Sequence, residues 1–311
     1  MNHRPLIGAI CLCLSGAAIA GDTYVGSSLG NLYKQNGASM GVALPSMCVA
    51  IDAAAAAGGA LYISDTFGSL HRVDTANGMQ VTTITWSLPA AANSIAVSGD
   101  RLFVGSAAGQ IRRIDPANAA VLSTWTVNSD LNAMVLTGDT IFAGGDNTFI
   151  YKINALTGQS QIIAACGGQV RAMATDGTLV FAGTPTGVVY RYSTTGAYQG
   201  TFAVPGMTIS AMAFDGGTLV LADETGLVKR VHPASGAVLS TANIPEAATA
   251  LAVVSTCVPD FSGDGLLNVA DFTAYLNAFS AREMRADINN DSSLNVADFT
   301  AFLHAYAAGC H

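Results

Sequence analysis

Near the carboxyl end of this chain, one twelve-residue acidic segment occurs twice. The first copy spans Asp260 to Asp271 and the second Asp287 to Asp298, 27 residues later. In each, oxygen-bearing side chains stand at positions 1, 3, 5, 9 and 12: Asp260, Ser262, Asp264, Asn268 and Asp271, then Asp287, Asn289, Asp291, Asn295 and Asp298. Position 7, Leu266 or Ser293, offers its backbone carbonyl. A chain wrapping a hard cation presents oxygens at these places, so the chemistry expected is calcium binding at two sites. Gly265 suits the sharp turn at position 6 of the first loop. Ser292 stands there in the second, at a cost of about 1 kcal/mol of left-handed backbone strain, so the second site is expected to be weaker. A single acidic turn would be an ordinary solvated surface feature; two copies in register point to a ligand.

Each loop leads into a nearly identical segment, NVADFTAYL at 268–276 and NVADFTAFL at 295–303, the same at eight of nine positions. Phe272, Leu276 and Phe279, then Phe299, Leu303 and Tyr306, recur at helical spacing and predict an amphipathic helix after each loop. Leu267 and Leu294, at position 8, are expected to pack the loops together. These repeats resemble dockerin modules, whose loops follow D-x-N-x-D-G-x-(I/L)-N-x-x-D before a helix. Aspartate at position 12 fits dockerins better than calmodulin-like sensors, which carry Glu. The resemblance implies two helices related by a pseudo-twofold axis, offering a face to a cohesin-like protein or cell-surface anchor. Here that face is Val269, Ala270 and Thr273, matched by Val296, Ala297 and Thr300, so either helix could engage. Packing between the helices is the alternative role for these residues. The ending Gly309-Cys310-His311, with Cys257 ahead of the first loop, is similar to GC-type dockerins of planctomycete-like bacteria. That resemblance implies a Cys257–Cys310 disulfide across a module at 257–311, worth roughly 4 kcal/mol by chain entropy. A free terminal thiol used for attachment is the rival reading.

Residues 1–20 read as a secretory signal peptide: Met1-Asn-His-Arg-Pro is a short positive region, Leu6 to Ala20 is apolar, and Ala18-Ile-Ala20 precedes Gly21 as a cleavage signal. The apolar run is too short for a comfortable membrane span. The expectation is a secreted protein, extracellular or cell-surface associated, from a bacterium. Four cysteines then remain, Cys48, Cys166, Cys257 and Cys310, an even number in an oxidising compartment. Cys48 and Cys166 each precede an apparent inner strand, two repeats apart by this count, a separation expected to be too large to bridge, and either is readable as a small buried hydrophobe. The chain carries a net charge of −8, and residues 257–311 hold seven acids and two bases. With no basic patch beyond Arg112-Arg113, nucleic-acid binding is not expected.

The positioning body lies at 21–256. A small residue followed by apolar-polar alternation recurs as GNLYKQ at Gly30, GSLHRVD at Gly68, GQIRRID at Gly109, TFIYKIN at Thr148, GVVYRYS at Gly187 and GLVKRVH at Gly226, spaced 38, 41, 39, 39 and 39 residues apart. A period near forty with strand-like alternation signals a β-propeller. Gly-Asp and Asp-Gly pairs mark the turns. Counting second strands gives six blades, and a spare strand from Thr249 to Val254 would complete the first and lock the ring. The fold expected is mainly β, a six-bladed β-propeller of period about 39 followed by a small all-α dockerin-like module. The blades resemble those of quinoprotein-like and YVTN-type propellers, with D-x-x-T-G turns at Val73 to Gly78, Ile153 to Gly158 and Val231 to Gly236, and Trp86 and Trp125 at outer-strand positions. The resemblance supports the fold and not the quinone chemistry.

Catalytic signals are thin. Gly26-Ser-Ser-Leu-Gly30 fits G-x-S-x-G formally, but that motif needs a strand-to-helix turn, and Ser28 sits between two propeller strands. His71 and His232 sit at nearby positions on equivalent third strands, with no Cys/Asp/His cluster expected beside them. Acids such as Asp52, Asp65, Asp146, Asp223 and Glu224 fall at turns or strand ends, where they commonly bond backbone. The function expected is a non-catalytic binding or scaffold propeller, docked to its partner through calcium, with an unassigned propeller ligand. The alternatives are a dockerin-borne polysaccharide-degrading enzyme or accessory subunit, with a carboxylate pair at the channel mouth, and a helix pair that only caps the propeller.

Overall fold

The computed structural model describes residues 22–36, 39–46, 48, 50–57, 60–75, 80–84, 92–98, 101–116, 118, 120–215, 217–254, 259, 261, 267–283, 286, 288 and 293–308. The signal peptide, Trp86, Cys257, Cys310 and loop positions Asp260, Ser262, Asp264, Leu266, Asp287, Asn289 and Asp291 lie outside them. Among the described residues, twenty-four strands form six four-stranded antiparallel sheets, and two helices follow. In chain order the sheets are blade 1 (22–44 with 248–254), blade 2 (51–84), blade 3 (92–126), blade 4 (131–165), blade 5 (172–203) and blade 6 (209–243). Blade 4 shows the plan, with strands at Leu131–Thr137, Thr140–Gly145, Phe149–Asn154 and Ser160–Ala165 running from the axis outward.

Side-chain size follows the radius. The innermost strands of blades 1 and 2 are rich in small residues, ATALAVV at Ala248–Val254 and IDAAAAA at Ile51–Ala57, which lets them crowd the axis closely. Each inner strand packs on the next around a closed ring. Second strands such as Arg101–Ser106 are buried at every position after the first, while the outer strand Val121–Thr126 is mostly exposed. Cores form between blades, as where Phe103, Ile111, Met134 and Tyr151 pack together.

Ala248–Val254 is the predicted closing strand. It pairs antiparallel with Asp22–Ser27, from Asp22 opposite Val254 to Ser27 opposite Ala248, so blade 1 joins both ends of the propeller and leaves the ring no open seam. The turn glycines have a visible purpose. Gly158 has φ of 73°, and a Cβ there would fall 2.1 Å from Cδ1 of Trp125 on the neighbouring blade's outer strand. The indole in turn stacks on Phe103 at 5.8 Å. The blade's turn thus lies flat against its neighbour's aromatic.

Beyond the propeller stand α1 (Val269–Ser280) and α2 (Val296–Ala308). Tyr275 of α1 and Phe302 of α2, equivalent residues of the two repeats, stack face to face, 4.0 Å between centroids and 2° from parallel. Phe272, Phe279, Phe299 and Tyr306 pack around them, as do Phe261 and Ile288 from loop position 2. Leu276 and Leu303 depart from the expected stripe. They are 39% and 37% exposed, because the neighbouring positions 275 and 302 face the axis between the helices instead.

Candidate functional site

The described part of the two loops is the same structure built twice. Asn268 Oδ1 accepts the Ala270 N–H at 2.7 Å, and Asp271 Oδ2 accepts the Asn268 N–H at 2.8 Å. In the second copy Asn295 Oδ1 accepts from Ala297 at 2.8 Å and Asp298 Oδ2 from Asn295 at 2.8 Å. Loop positions 9 and 12 therefore form the capping box of the helix that follows. Both carboxylates are fully buried. The Ser293 carbonyl at position 7 accepts from the Asn295 side chain at 2.8 Å. Leu294 packs on the aromatic core and Leu267 is half-buried.

All six expected partner residues, Val269, Ala270, Thr273, Val296, Ala297 and Thr300, are exposed. Val269 and Val296 are each 74% exposed. Thr273 and Thr300 each donate to the carbonyl four residues back, at 2.9 Å in both helices. The two copies thus present matched surfaces, with Leu276 and Leu303 one turn further along.

A second cluster lies in blade 2 and was not foreseen from the sequence. Asp65 ends the second strand, Ala60–Asp65. Its Oδ1 accepts the Phe67 and Ser69 N–H groups at 3.0 and 2.9 Å, and its Oδ2 stands 3.2 Å from His71 Nε2. Cys48, in the loop entering the blade, completes the group, and the three donor atoms all lie within 4.8 Å of one another. Among the described residues no other three His, Cys, Asp or Glu side chains converge so closely. The Cys48 carbonyl is seated over Gly30, where a Cβ would fall 1.8 Å from its oxygen. Asp65 and His71 are buried and Cys48 is half-buried. Burial, then the charges of Asp65 and Asp52, push the Cys48 thiol up to about 11. Burial and then Asp65 push the Asp52 carboxyl up to about 6.

Three expectations are corrected here. His71 does have a Cys and an Asp beside it. His232 is not its equivalent: it follows the third strand Leu227–Val231, is exposed, and accepts the Ala234 N–H in the turn. No spacing could have revealed the cluster, since Cys48 approaches only through blade packing. The fixed offset from Asp65 to His71 in the repeat was the available clue. Ser28 sits in the tight turn between strands Asp22–Ser27 and Leu32–Asn36. Cys48 and Cys166 are both free and precede blades 2 and 5, three repeats apart and not the two expected, because the inner strands of blades 3 and 4 lie between them. A shallow cavity of about 320 Å³ between blades 4 and 5 is lined by Tyr190, Tyr192 and Tyr198 with Ile163.

Comparison with known proteins agrees with this architecture. The family model PQQ_2, described as "Outer membrane protein assembly factor BamB", matches residues 123–308, from the outer strand of blade 3 through α2. No curated protein matches the chain. Among solved structures, a chain in the crystal structure of a nidogen/laminin complex is similar with TM-score 0.66 and 14% identity, over 76% of this chain and 99% of that one. The structure of U3-55K gives 0.60 at 12% identity, over 76% of this chain and 82% of that one. The RRP9 WD40 repeats give 0.59 at 11%, over 76% and 81%. At these identities the likeness shows the fold alone.

Proposed function

The chain belongs to the PQQ_2 family of BamB description, the match covering more than half of it, and from that premise we propose a secreted, non-catalytic binding or scaffold propeller that is anchored to an extracellular or cell-surface partner through a calcium-dependent dockerin. The family's description is that of an assembly factor, which sits with binding and against catalysis. The observation that carries the docking reading is the duplication of α1 and α2 down to their caps, with Val269 and Val296 equally exposed.

Calcium would be held by Asp260, Ser262, Asp264, Leu266, Asn268 and Asp271 in the first loop, and by Asp287, Asn289, Asp291, Ser293, Asn295 and Asp298 in the second. Bound there, it neutralises clustered carboxylates and couples the fold of the module to the metal. Asn268 and Asn295 spend Oδ1 on the helix cap, which suits the indirect, water-bridged part that position 9 often takes. The capping boxes hold Oδ2 of Asp271 and Asp298 on the backbone, which would steady each carboxylate as the last ligand. The partner, a cohesin-like protein, then meets Val269, Ala270 and Thr273 or their copies Val296, Ala297 and Thr300. A Cys257–Cys310 bond would tie the ends of the module.

The second reading is a dockerin-borne polysaccharide-degrading enzyme or accessory subunit. The tyrosine-lined cavity between blades 4 and 5 favours it to the extent that sugars stack on aromatic faces. Calorimetric titration of the full chain with calcium, followed by capture from host envelope extract with and without chelator, tests the first reading. Two calcium ions and capture that survives changes in one helix but not in both are expected. Calcium binding with no capture would make the helix pair a cap on the propeller, and no calcium uptake would end the docking reading.

A further inference from the structure

The six blades act as controls for one another. The residue closing the second strand, or in blade 5 the one just past it, and the third-strand residue six further on are Ser27 and Tyr33, Asp65 and His71, Ser106 and Arg112, Gly145 and Tyr151, Thr184 and Tyr190, and Asp223 and Lys229. Strand register makes these positions equivalent: His71 lies opposite Ile63 as Tyr33 lies opposite Val25 and Lys229 opposite Leu221. Asp223 repeats the Asp65 turn, accepting the Thr225 and Leu227 N–H groups at 2.8 and 3.1 Å, but faces no imidazole. Among the described residues, a carboxylate, an imidazole and a thiol meet only in blade 2.

We infer that Cys48, Asp65 and His71 form a binding site for a borderline-soft divalent transition metal of the zinc class, separate from the C-terminal calcium loops and independent of the docking reading. The donor set selects the metal: thiolate and imidazole suit zinc, whereas calcium takes oxygen alone. Donor atoms around four-coordinate zinc stand roughly 3.3 to 3.8 Å apart, given bonds of about 2.0 to 2.3 Å. The His71 to Asp65 separation of 3.2 Å already matches, and rotation of the half-buried Cys48 side chain closes the rest. The two N–H groups on Asp65 Oδ1 fix the carboxylate from behind, as outer partners of metal ligands do. Binding replaces the thiol proton: Cys–SH and the dication give a metal thiolate and one released proton. Three protein ligands and a half-exposed thiol leave a fourth position for water or a donor atom from a ligand.

The test is titration of the full chain with cobalt(II) in excess calcium, which keeps the C-terminal loops occupied. One equivalent with a near-ultraviolet thiolate-to-metal band and four-coordinate visible bands is expected, displaced by zinc. The bands should vanish in Cys48→Ser and persist in Cys257→Ser and Cys310→Ser. His71→Tyr installs the residue that three other blades carry there, so the fold is retained while affinity drops by at least about 100-fold. Asp65→Asn keeps an acceptor for Phe67 and Ser69, and circular dichroism confirms that its sheet content is unchanged while affinity falls. A folded wild type with no thiolate band, or a band that survives Cys48→Ser, overturns the inference.

Discussion

At the residue scale, polar groups inside the propeller decide more than their number suggests. Arg230 ion-pairs with Asp215 within blade 6 and reaches across to blade 1, donating to Thr23 Oγ1 at 2.6 Å and Gln35 Oε1 at 2.9 Å. Both charges are largely withdrawn from water. Arg230→Ala would remove the cation that faces the buried Asp215 and the donor to Thr23 and Gln35, and a loss of about 3–5 kcal/mol in urea unfolding is expected; a loss under about 1 kcal/mol would show that the pair contributes no more than an exposed one. Asp52 works in the opposite sense. Its carboxyl, raised to about 6 in the folded protein from an ordinary 3.8, favours folding when protonated. That contribution is complete below the ordinary value and fades as pH climbs through about 6. In chelator, Asp52→Asn should therefore stabilise the protein by about 1 kcal/mol at neutral pH, a figure already discounted for solvent screening, and by nothing in acid. A stabilisation that is the same at both pH values would refute the assignment.

At the element scale, the blade is a repeated solution with local departures. The residue opening each third-strand turn is a left-handed glycine in five blades, while blade 4 places Thr148 there at φ of 66°. A β-branched side chain in that region is strained by about 1–2 kcal/mol. Thr148→Gly should raise the thermal midpoint despite deleting a side chain, and a lowered midpoint would mean that the threonine makes compensating contacts. The repeat itself was legible in the sequence because each blade spells the same alternation and turn within forty residues. The helix pair was legible for the same reason, since two nearly identical segments 27 residues apart spell the same helical spacing. The helical stripe was misread at one position: spacing alone did not separate Leu276 from Tyr275, since an aromatic stack across two helices is set by their mutual approach.

At the scale of the whole molecule, closure couples the first blade to the last. Leu251, on the closing strand, packs with Val25 and Tyr33 of blade 1 and with Val220 and Val228 of blade 6. Leu251→Ala should cost about 2–5 kcal/mol and lower the propeller's midpoint by on the order of 10 °C in one transition. A separate early transition confined to blade 1 would show that the ring does not melt as a unit. The number of blades, the spare strand that completes the first and the duplicated acidic loops all follow from the linear order of residues, because each is a short-range pattern repeated. The convergence of Cys48 with Asp65 and His71, and the reach of Arg230 to Thr23 across 207 residues of chain, were decided only by the tertiary structure. Contacts of that kind depend on the register of strands and on the ring bringing its ends together, and neither is written in any local stretch of sequence.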